Sequence, residues 1–332
     1  MTAQKYISNA TITAIGSYVP ERVLTNGDLE QLVDTSHEWI MQRTGIVERR
    51  IAADNEYCSD LSISAVRNLL ENYPVTVQDV DFIIVATSTP DMAVPSVASR
   101  VQAAFNIPSA GAVDVQAACA GFVAALQMAG GLLLTGIYRK ILVIGAETLS
   151  KITDYTDRTT CILFGDGAGA VLLEADYDGT GCFLGGYSDT NGSAGHHLYA
   201  SSLAPTINGE SINNNGLLVQ NGREVYKWAL SAVPQGARNL LDHAELTVDQ
   251  VDWFIPHSAN LRMIESICER LALPIEKTLY SLVNYGNTSA ATIPLALHEG
   301  IKEKRVKAGD LLLLYGFGGG LTQSGLLVRW PL

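Results

Sequence analysis

The sequence predicts an α/β protein built from two similar halves. Residues 76–88 and 247–259 each begin with a turn and continue as a buried strand, and the two segments match position by position. A second pair of segments, 115–121 and 283–289, matches at nearly the same spacing, and an alanine-rich run typical of a buried helix follows each member. Repeats of this length indicate an internal duplication.

A third pair, residues 161–173 and 311–328, predicts a strand, a glycine turn and a second strand in each half. Neither glycine string opens a helix with an acidic residue about 20 positions later, which argues against a dinucleotide site. Apolar residues thin out at 174–181, so we expect the halves to be residues 1–174 and 175–332. Residues 188–222, rich in Asn, Gly and Ser, predict a surface excursion outside the sheets, with His196 and His197 as loop residues that point apart.

Charge, cysteine spacing and the lack of long apolar runs argue against several classes of protein. The formal net charge of −12 argues against nucleic acid as a general partner. The five cysteines are scattered without a C-x-x-C spacing, which favours reduced thiols over disulfides or a zinc site. The amino-terminal segment lacks the apolar core of a signal peptide, and no long apolar run suggests a membrane span, so we expect a cytoplasmic protein without a metal.

Cys119 is the first candidate for catalysis. It lies between a strand-like run at 112–115 and a small-residue helix that begins near Gly121. The free N–H groups at a helix start favour an anion, so a thiolate would be stabilised there. A cysteine among alanines is also typical of ordinary core packing, and this stretch alone leaves both interpretations open.

The duplication adds two partners for Cys119. Asn287 holds the matching position in the second half, and His257 follows the apolar strand at 253–256. If the halves pack about a pseudo-twofold axis, these three side chains meet at the centre. Taken alone, His257 would more often be a structural histidine.

Two helices are predicted near the amino terminus, at 26–33 and 36–43, and the second places Trp39 and Arg43 on one face. Such a pair suits either an ordinary amphipathic helix with an extended arginine or the binding of an aromatic ring beside a phosphate.

Seven stretches together resemble the β-ketoacyl-acyl-carrier-protein synthase III family, the initiating condensing enzymes of dissociated fatty-acid synthesis. They span the chain in the order found in that family, and they are Gly16-Ser-Tyr-Val-Pro, Trp39-Ile-Met-Gln-Arg-Thr-Gly-Ile, Ala117-Ala-Cys-Ala-Gly-Phe, Phe164-Gly-Asp-Gly-Ala-Gly-Ala, Pro256-His-Ser-Ala-Asn-Leu-Arg, Asn284-Tyr-Gly-Asn-Thr-Ser-Ala and Gly316-Phe-Gly-Gly-Gly. The resemblance implies a thiolase-like fold, with duplicated βαβαβαββ halves in five layers (αβαβα).

The resemblance also implies a division of labour. Cys119 would carry the acyl group from an acyl-CoA, and His257 and Asn287 would stabilise the enolate formed when malonyl-acyl-carrier-protein loses carbon dioxide. The backbone N–H groups of Cys119 and Gly319 would form the oxyanion hole. Related families carry two histidines, a second cysteine or a glutamate instead of this set, and no cofactor is implied.

Substrate contacts follow from the same resemblance. It assigns CoA binding to Trp39, Arg43, Arg158 and Asn260, and carrier-protein binding to Lys227, Ser258, Arg262 and Arg270. Ser258 stands where many members have Gln.

The resemblance also bears on the primer and the assembly. Val94 stands where some members place a Phe that closes the acyl pocket across a dimer interface, so it implies a homodimer with room for branched or longer primers. A paralogue of secondary metabolism, condensing other acyl groups or transferring them to oxygen or nitrogen, stays open.

Overall fold

The architecture comes from a computed structural model, which describes residues 6–177, 179 and 181–332. None of the helices in this described part of the chain is both long and apolar enough to cross a membrane.

Strands and helices alternate along the described chain. The strands are β1 (Ala10–Tyr18), β2 (Arg22–Thr25), β3 (Glu48–Ile51), β4 (Phe82–Ala86), β5 (Gly111–Val115), β6 (Lys140–Thr148), β7 (Asp166–Ala175), β8 (Phe183–Thr190), β9 (Leu198–Ala200), β10 (Thr206–Ile207), β11 (Glu210–Ser211), β12 (Leu218–Gln220), β13 (Trp253–Pro256), β14 (Leu311–Gly318) and β15 (Thr322–Arg329). The helices are α1 (Asn26–Glu30), α2 (His37–Thr44), α3 (Cys58–Asn72), α4 (Val97–Ala104), α5 (Gly121–Leu134), α6 (Gly222–His243), α7 (Leu261–Leu271), α8 (Leu282–Tyr285) and α9 (Thr292–Lys302).

Two mixed sheets repeat one topology. The first has the order β1-β7-β6-β4-β5, with β4 parallel to both β5 and β6 and with β7 antiparallel to its neighbours. The second has the order β8-β15-β14-β13, with β13 parallel to β14 and the other pairs antiparallel. At the place of a fifth strand, Thr278 makes a single parallel bridge to Phe254. The order and direction of the strands are therefore duplicated, as the repeats predict.

The helices complete five layers. α3 and α4 contact the outer face of the first sheet, and α6 contacts the outer face of the second and packs on α7. α5 and α9 lie between the sheets and contact both. The sequence of α5, Gly-Phe-Val-Ala-Ala-Leu-Gln-Met-Ala-Gly-Gly-Leu-Leu-Leu, is apolar on most sides, as a helix covered on both faces must be.

The predicted fold class is confirmed, and four local expectations are wrong. Residues 161–165 form turns rather than a strand, so the strand before that glycine turn is β6. Residues 188–222 are not wholly outside the sheets, because 188–190 belong to β8, while β9 pairs with β12 and β10 with β11 in two small sheets. His196 and His197 end a 3₁₀ turn with ring centroids 4.0 Å apart, instead of pointing apart along an extended loop. The helix expected at 26–33 is shorter, ending at Glu30.

The first sheet ends with β7 at Ala175, and the second begins with β8 at Phe183. The chain therefore leaves the first sheet one residue after the expected boundary, and the halves at 1–174 and 175–332 stay a prediction. Because α5 and α9 each contact both sheets, one shared core joins the two halves.

Phe122 tests the importance of this central layer. It is fully buried in α5, within the core cluster that joins both sheets. Phe122→Ala should lower the free energy of unfolding by about 3–5 kcal/mol, because it leaves a cavity that the two sheets cannot close. Denaturant titration measures the effect. Leu134→Ala is the matched control, since Leu134 is 47% exposed at the end of the same helix, and it should change stability by less than about 1 kcal/mol. An equal loss of stability in both variants would contradict the role of Phe122 in the core that joins the two sheets.

Candidate active site

A cavity of about 1100 Å³ lies where the two halves meet. Cys119 and Phe164 line it from the first half, and His257, Asn287 and Phe317 line it from the second. The three side chains predicted to meet therefore share one cavity.

Two turns of the same shape bring these residues together. Residues 118–120 and 289–291 each form a 3₁₀ turn directly before a central helix, and the turns contact one another. Each turn begins with a left-handed residue, Ala118 at φ 44° and Ser289 at φ 48°. The two turns thus correspond at the same spacing that relates residues 76–88 to 247–259.

This correspondence corrects the expected partner of Cys119. When the two turns are matched residue by residue, the counterpart of Cys119 is Ala290, and Asn287 precedes the second turn. Asn287 lines the cavity from a position two residues before this turn, so its place in the site does not follow from a match with Cys119.

Glycines make room around the thiol. A Cβ atom on Gly318 would lie 2.9 Å from both Cβ and Sγ of Cys119, closer than carbon and sulfur can pack. Gly319 follows, and a Cβ on it would lie 3.3 Å from the Cβ of Ala118. The end of β14 therefore approaches Cys119 as closely as the missing side chains allow, which places the predicted oxyanion residue Gly319 beside the Cys119 turn.

The Cys119 thiol is 8% exposed, and burial raises its pKa to about 12. A hydrogen bond with the Ser289 side chain acts to lower this pKa, and the negative charge of Glu147 acts to raise it. Burial therefore outweighs the effect of the helix start on this pKa and favours the thiol form of Cys119 at neutral pH.

The hydrogen bonds of His257 fix its tautomer. Nδ1 lies 2.9 Å from Oγ1 of Thr292, and that hydroxyl donates to the carbonyl oxygen of Ser289 at 2.8 Å. The ring also interacts with this carbonyl, which can only accept, so Nδ1 carries the proton. Burial lowers the pKa of His257 to about 3. The neutral ring therefore leaves the lone pair of Nε2 for the cavity.

Asn287 presents a hydrogen-bond donor to the cavity, whereas His257 presents a lone pair. Its Oδ1 accepts a hydrogen bond from the backbone N–H of Ser289 at 2.9 Å, so the amide nitrogen is left as a donor toward the cavity. Its backbone N–H donates to Leu163 at 2.8 Å, and its carbonyl accepts from Gly165 at 3.0 Å. These bonds hold Asn287 against the loop that follows Cys161.

At the outer end of the cavity, Trp39 is half-buried on α2 and has two arginines near its ring. The guanidinium of Arg158 lies 4.9 Å from the ring centroid, and that of Arg43 lies 5.9 Å away. Trp39 and Arg43 line the cavity, whereas Arg158 lies over the Trp39 ring outside the cavity lining and pairs with Asp34 at 3.5 Å. Trp39 and Arg43 do share one face of a helix, as their spacing predicts.

Three further predicted contacts, Asn260, Lys227 and Arg262, also line the cavity. Asn260 is the N-cap of α7: its Oδ1 accepts from the backbone N–H of Arg262 at 2.9 Å, and its Nδ2 donates to the Arg43 carbonyl at 3.1 Å. Lys227 and Arg262 are exposed at the cavity rim. Each forms an ion pair along its own helix, with Glu224 for Lys227 and with Glu265 for Arg262.

Other predicted residues lie outside the cavity. Ser258 is fully buried and its hydroxyl accepts from the N–H of Ser281 at 3.0 Å, so the expectation that it contacts a carrier protein is wrong. Arg270 lies at the far end of α7 from Asn260, about 12–15 Å along the helix, and is not among the lining residues. Val94 is 82% exposed and also does not line the cavity of this single chain.

The sequence reasoning missed Ser289 and Glu147. The backbone N–H of Ser289 donates to Asn287, and its carbonyl accepts from Thr292, the hydrogen-bond partner of His257. Glu147 is a fully buried carboxyl whose charge acts to raise the pKa of Cys119. The signal available in the sequence was Glu147 itself, an acidic residue at the end of the apolar strand 141–146. Among the described residues there is no cluster of His, Cys, Asp and Glu that could hold a metal ion.

A duplicated five-layer fold whose central helix begins beside a cysteine defines a condensing enzyme of the thiolase-like class. Models of the two parts of 3-oxoacyl-[acyl-carrier-protein] synthase III match residues 113–192 and, for the C-terminal part, residues 241–330.

Relatives cover nearly the whole chain. The chain is 59% identical over 324 residues to a β-ketoacyl-[acyl-carrier-protein] synthase III 2 of Halalkalibacterium halodurans, covering 98% of this chain and 97% of the relative. It is 56% identical to the synthase III 2 of Bacillus subtilis, over 98% and 99% of the two chains. The crystal structure of a synthase III from Thermus thermophilus superposes with a TM-score of 0.92 at 43% identity, over 96% and 99%.

The chain belongs to the 3-oxoacyl-[acyl-carrier-protein] synthase III family. The resemblance inferred from the seven sequence stretches is confirmed, and so is the expectation of an acyl-transferring condensing enzyme of fatty-acid biosynthesis.

The buried neutral state of His257 has a measurable consequence. The unfolded chain binds a proton at this residue below its ordinary pKa of 6.5, whereas the folded chain does not bind it until about pH 3. Protonation therefore favours the unfolded state, and stability falls with decreasing pH in this window by about 1.4 kcal/mol per pH unit. Between pH 7 and 5, wild type should lose on the order of 2 kcal/mol more than His257→Gln.

Urea denaturation at pH 7, 6 and 5 measures this difference. Other titrating groups, including Glu147 with its raised pKa, are present in both proteins, and so their contributions cancel in the comparison. His243→Gln, a change at an exposed position of α6, is the control and should follow wild type. Parallel pH dependences for wild type and His257→Gln would contradict the buried neutral histidine.

Proposed function

We propose that this synthase III condenses an acyl-CoA primer with malonyl-acyl-carrier-protein at Cys119, His257 and Asn287, and so initiates fatty-acid synthesis. The observation that carries the proposal is the meeting of a thiol, an imidazole and an amide donor in one cavity. The half at 1–174 contributes the nucleophile, and the half at 175–332 contributes the groups that act on malonyl. This thioester chemistry requires no cofactor.

In the first step, the sulfur of Cys119 attacks the thioester carbonyl of the acyl-CoA. The bond from that carbon to the CoA sulfur breaks, CoA leaves as a thiol, and an acyl-Cys119 thioester remains. The negative charge that builds on the carbonyl oxygen would be met by the backbone N–H groups of Cys119 and Gly319. The close approach of the Gly318-Gly319 segment to Cys119 supports this assignment.

In the second step, malonyl-acyl-carrier-protein loses carbon dioxide, and the electron pair moves into an enolate. Asn287 donates from its amide nitrogen, the orientation that its bond to Ser289 enforces. His257 donates from Nε2 once that nitrogen is protonated, and the charge of the malonyl group favours this protonation. The enolate carbon then attacks the acyl-Cys119 carbonyl, the bond from that carbon to sulfur breaks, and the proton on Nε2 of His257 returns Cys119 to a thiol. The donor orientation of Asn287 favours decarboxylation over simple acyl transfer to oxygen or nitrogen.

The rim of the cavity suits the nucleotide of CoA. Trp39 offers an aromatic face for adenine, while Arg43 and Arg158 offer charge for phosphates. The guanidinium of Arg158 lies over the Trp39 ring, so adenine would displace it or insert beside it. Asn260 has one amide hydrogen left for the pantetheine arm, because its other polar groups are bonded within the protein.

The acidic carrier protein would dock on the basic residues around the mouth. Lys227 and Arg262 stand there, and Arg223 lines the same cavity. On a chain with a net charge of −12, such a local cluster directs an acidic partner to one place. Arg270 would contribute only to the outer edge of this surface.

A homodimer is supported by the edge of the first sheet. β5 is the last strand of that sheet, and Val113 on it is exposed. Met92 and Val94 are also exposed large apolar residues. Pairing of two β5 edges would cover an open strand, and a primer pocket closed by Val94 of the partner would explain why Val94 lies outside the cavity of one chain. We place the enzyme in the cytoplasm, where its thioester substrates and five free cysteines fit a reducing milieu.

Cys119→Ala should abolish formation of an acyl-enzyme, because no other group occupies the position of its sulfur. Some decarboxylation of malonyl-acyl-carrier-protein should remain, since His257 and Asn287 are unchanged. Intact-protein mass spectrometry with a panel of acyl-CoAs detects the adduct, and release of labelled carbon dioxide reports decarboxylation. Cys268→Ala is the matched control, because this thiol is buried in α7 away from the cavity. Loss of both activities in folded Cys119→Ala would refute the division of roles, and an adduct in that variant would refute the nucleophile.

The smaller residue at position 94 predicts a preference for branched primers. Wild type should use isobutyryl-CoA and isovaleryl-CoA at least as well as acetyl-CoA, and Val94→Phe should move the kcat/KM ratio toward acetyl-CoA by about tenfold or more. Ile137→Phe is the control, since Ile137 is another exposed apolar residue beyond the end of α5. A wild-type enzyme that strongly prefers acetyl-CoA would end this interpretation.

A further inference from the structure

Arg49 is a fully buried cation that the proposed mechanism does not use. It lies on β3, and its side chain is inaccessible to solvent. Burial lowers the pKa of Arg49 to about 10, so the guanidinium stays charged at neutral pH. None of the ion pairs in the described part of the chain includes Arg49. A buried charge without a counter-ion is costly, and an apolar side chain would fill the same space at lower cost, so this arginine needs a reason.

The guanidinium of Arg49 joins two segments of the chain through their oxygen atoms. Nη2 donates to the carbonyl oxygen of Ile162 at 2.5 Å, and Nη1 donates to Oδ1 of Asn26 at 2.7 Å. Asn26 is also buried, and its Nδ2 donates to the carbonyl oxygen of Ile46, in the chain that follows α2, at 2.9 Å. A planar guanidinium fixes the separation of its two acceptors, which a single ammonium group cannot do.

The segment that Arg49 holds is bonded to the backbone of Asn287. The N–H of Asn287 donates to the carbonyl oxygen of Leu163 at 2.8 Å, and the carbonyl of Asn287 accepts from the N–H of Gly165 at 3.0 Å. The carbonyl that Arg49 binds belongs to Ile162, one residue before this pairing begins. The position of Asn287 therefore depends on a segment whose own position Arg49 fixes.

The stem of Arg49 packs against the same place. A Cβ atom on Gly286 would lie 2.9 Å from the Cβ of Arg49, and one on Gly165 would lie 3.1 Å from it. Gly286 has a φ of 70°, a conformation that favours glycine, and it directly precedes Asn287. The stem thus supports the chain on one side of Asn287, while the guanidinium holds the segment on the other.

We propose that Arg49 is a positioning residue for Asn287. Its hydrogen bond to Ile162 and its contact with Gly286 together hold the Asn287 amide toward the cavity, where it would donate to the malonyl enolate. This inference rests on the proposed function for the part that Asn287 plays in the malonyl step. Because Cys119 lies on the separate turn at 118–120, its acylation should depend much less on Arg49.

Hydrogen–deuterium exchange tests the positioning without any substrate. Arg49→Met removes the guanidinium and keeps most of the apolar stem. The backbone amides of Gly165 and Asn287 should then exchange at least about tenfold faster than in wild type, because their hydrogen bonds join the two segments. Arg49→Lys, which keeps the charge but cannot span both acceptors, should give an intermediate rate. Lys140→Met is the matched control, since Lys140 is a buried, ion-paired cation at the start of β6, and it should leave both amides unchanged.

Unchanged exchange at both amides in Arg49→Met would overturn the proposal. If Arg49→Met does not fold, Arg49→Lys decides the question, and wild-type exchange in that variant would have the same meaning. A purely structural role for Arg49 predicts faster exchange spread over the whole chain instead of a change concentrated at Gly165 and Asn287.

The two partial reactions test the chemical consequence. In Arg49→Met, decarboxylation of malonyl-acyl-carrier-protein should fall by at least about tenfold, because a small displacement of a donor is enough for such a loss. Acylation of Cys119 by an acyl-CoA should stay within about threefold of wild type. Added to Asn287→Ala, Arg49→Met should cause little further loss of decarboxylation, since both changes remove the same donor. Losses that multiply in the double variant would show that Arg49 does not act through Asn287.

Failure of the proposed function has a different signature. If Asn287→Ala decarboxylates malonyl-acyl-carrier-protein at the wild-type rate, then Asn287 is not the donor in the malonyl step. Exchange at Gly165 and Asn287 still decides whether Arg49 positions Asn287, because that measurement uses neither acyl-CoA nor malonyl-acyl-carrier-protein.

Discussion

The burial of α5 and α9 between two sheets is the constraint on which the remaining structure depends. Each helix is covered on two sides, and their residues fill the core cluster that joins the halves. Because both helices start at the middle of the molecule, the turns before them must meet there. The site is therefore a consequence of packing the central layer, and any change that separates the sheets would also separate Cys119 from Asn287 and His257.

The two turns have the same backbone shape but carry different side chains. The first has a methyl group at Ala118 where the second has the hydroxyl of Ser289, and a thiol at Cys119 where the second has Ala290. The backbone of Ser289 then binds Asn287 and Thr292 by hydrogen bonds. Duplication supplied the backbone geometry twice, and substitution gave each copy a different chemical task.

Burial also sets the electrostatics of the site. It keeps Cys119 protonated and His257 neutral, and it raises the pKa of Glu147 into the physiological range. These groups therefore favour states with little charge, which makes the position of a single proton important. The rim of the cavity is positively charged instead. Its residues Arg43, Lys227 and Arg262 are exposed to solvent, where a charged side chain is stable. A neutral interior and a cationic mouth suit a reaction on thioesters delivered by negatively charged carriers.

Parts of this site could be read from the sequence because they depend on local pattern. Cys119 at a helix start and His257 after an apolar strand are such features, and the recurrence of segment 76–88 at 247–259 identified the duplicated halves. Contacts that join distant segments could not be read in this way. The burial of Ser258 and the distance of Arg270 from the mouth follow from how α7 packs, which no short motif encodes.

The sequence by itself determined the α/β class, the duplication and the family, and it predicted Cys119, His257 and Asn287 as the catalytic residues, since repeats and motifs record these features directly. Only the tertiary structure decided that the backbone of Ser289 binds Asn287 and Thr292, and that Glu147 is fully buried. It also favours a buried thiol over the expected thiolate, because the pKa of Cys119 is set by how much solvent the surrounding layers exclude. Local sequence specifies where a helix begins, whereas solvent exclusion arises from the packing of both halves together.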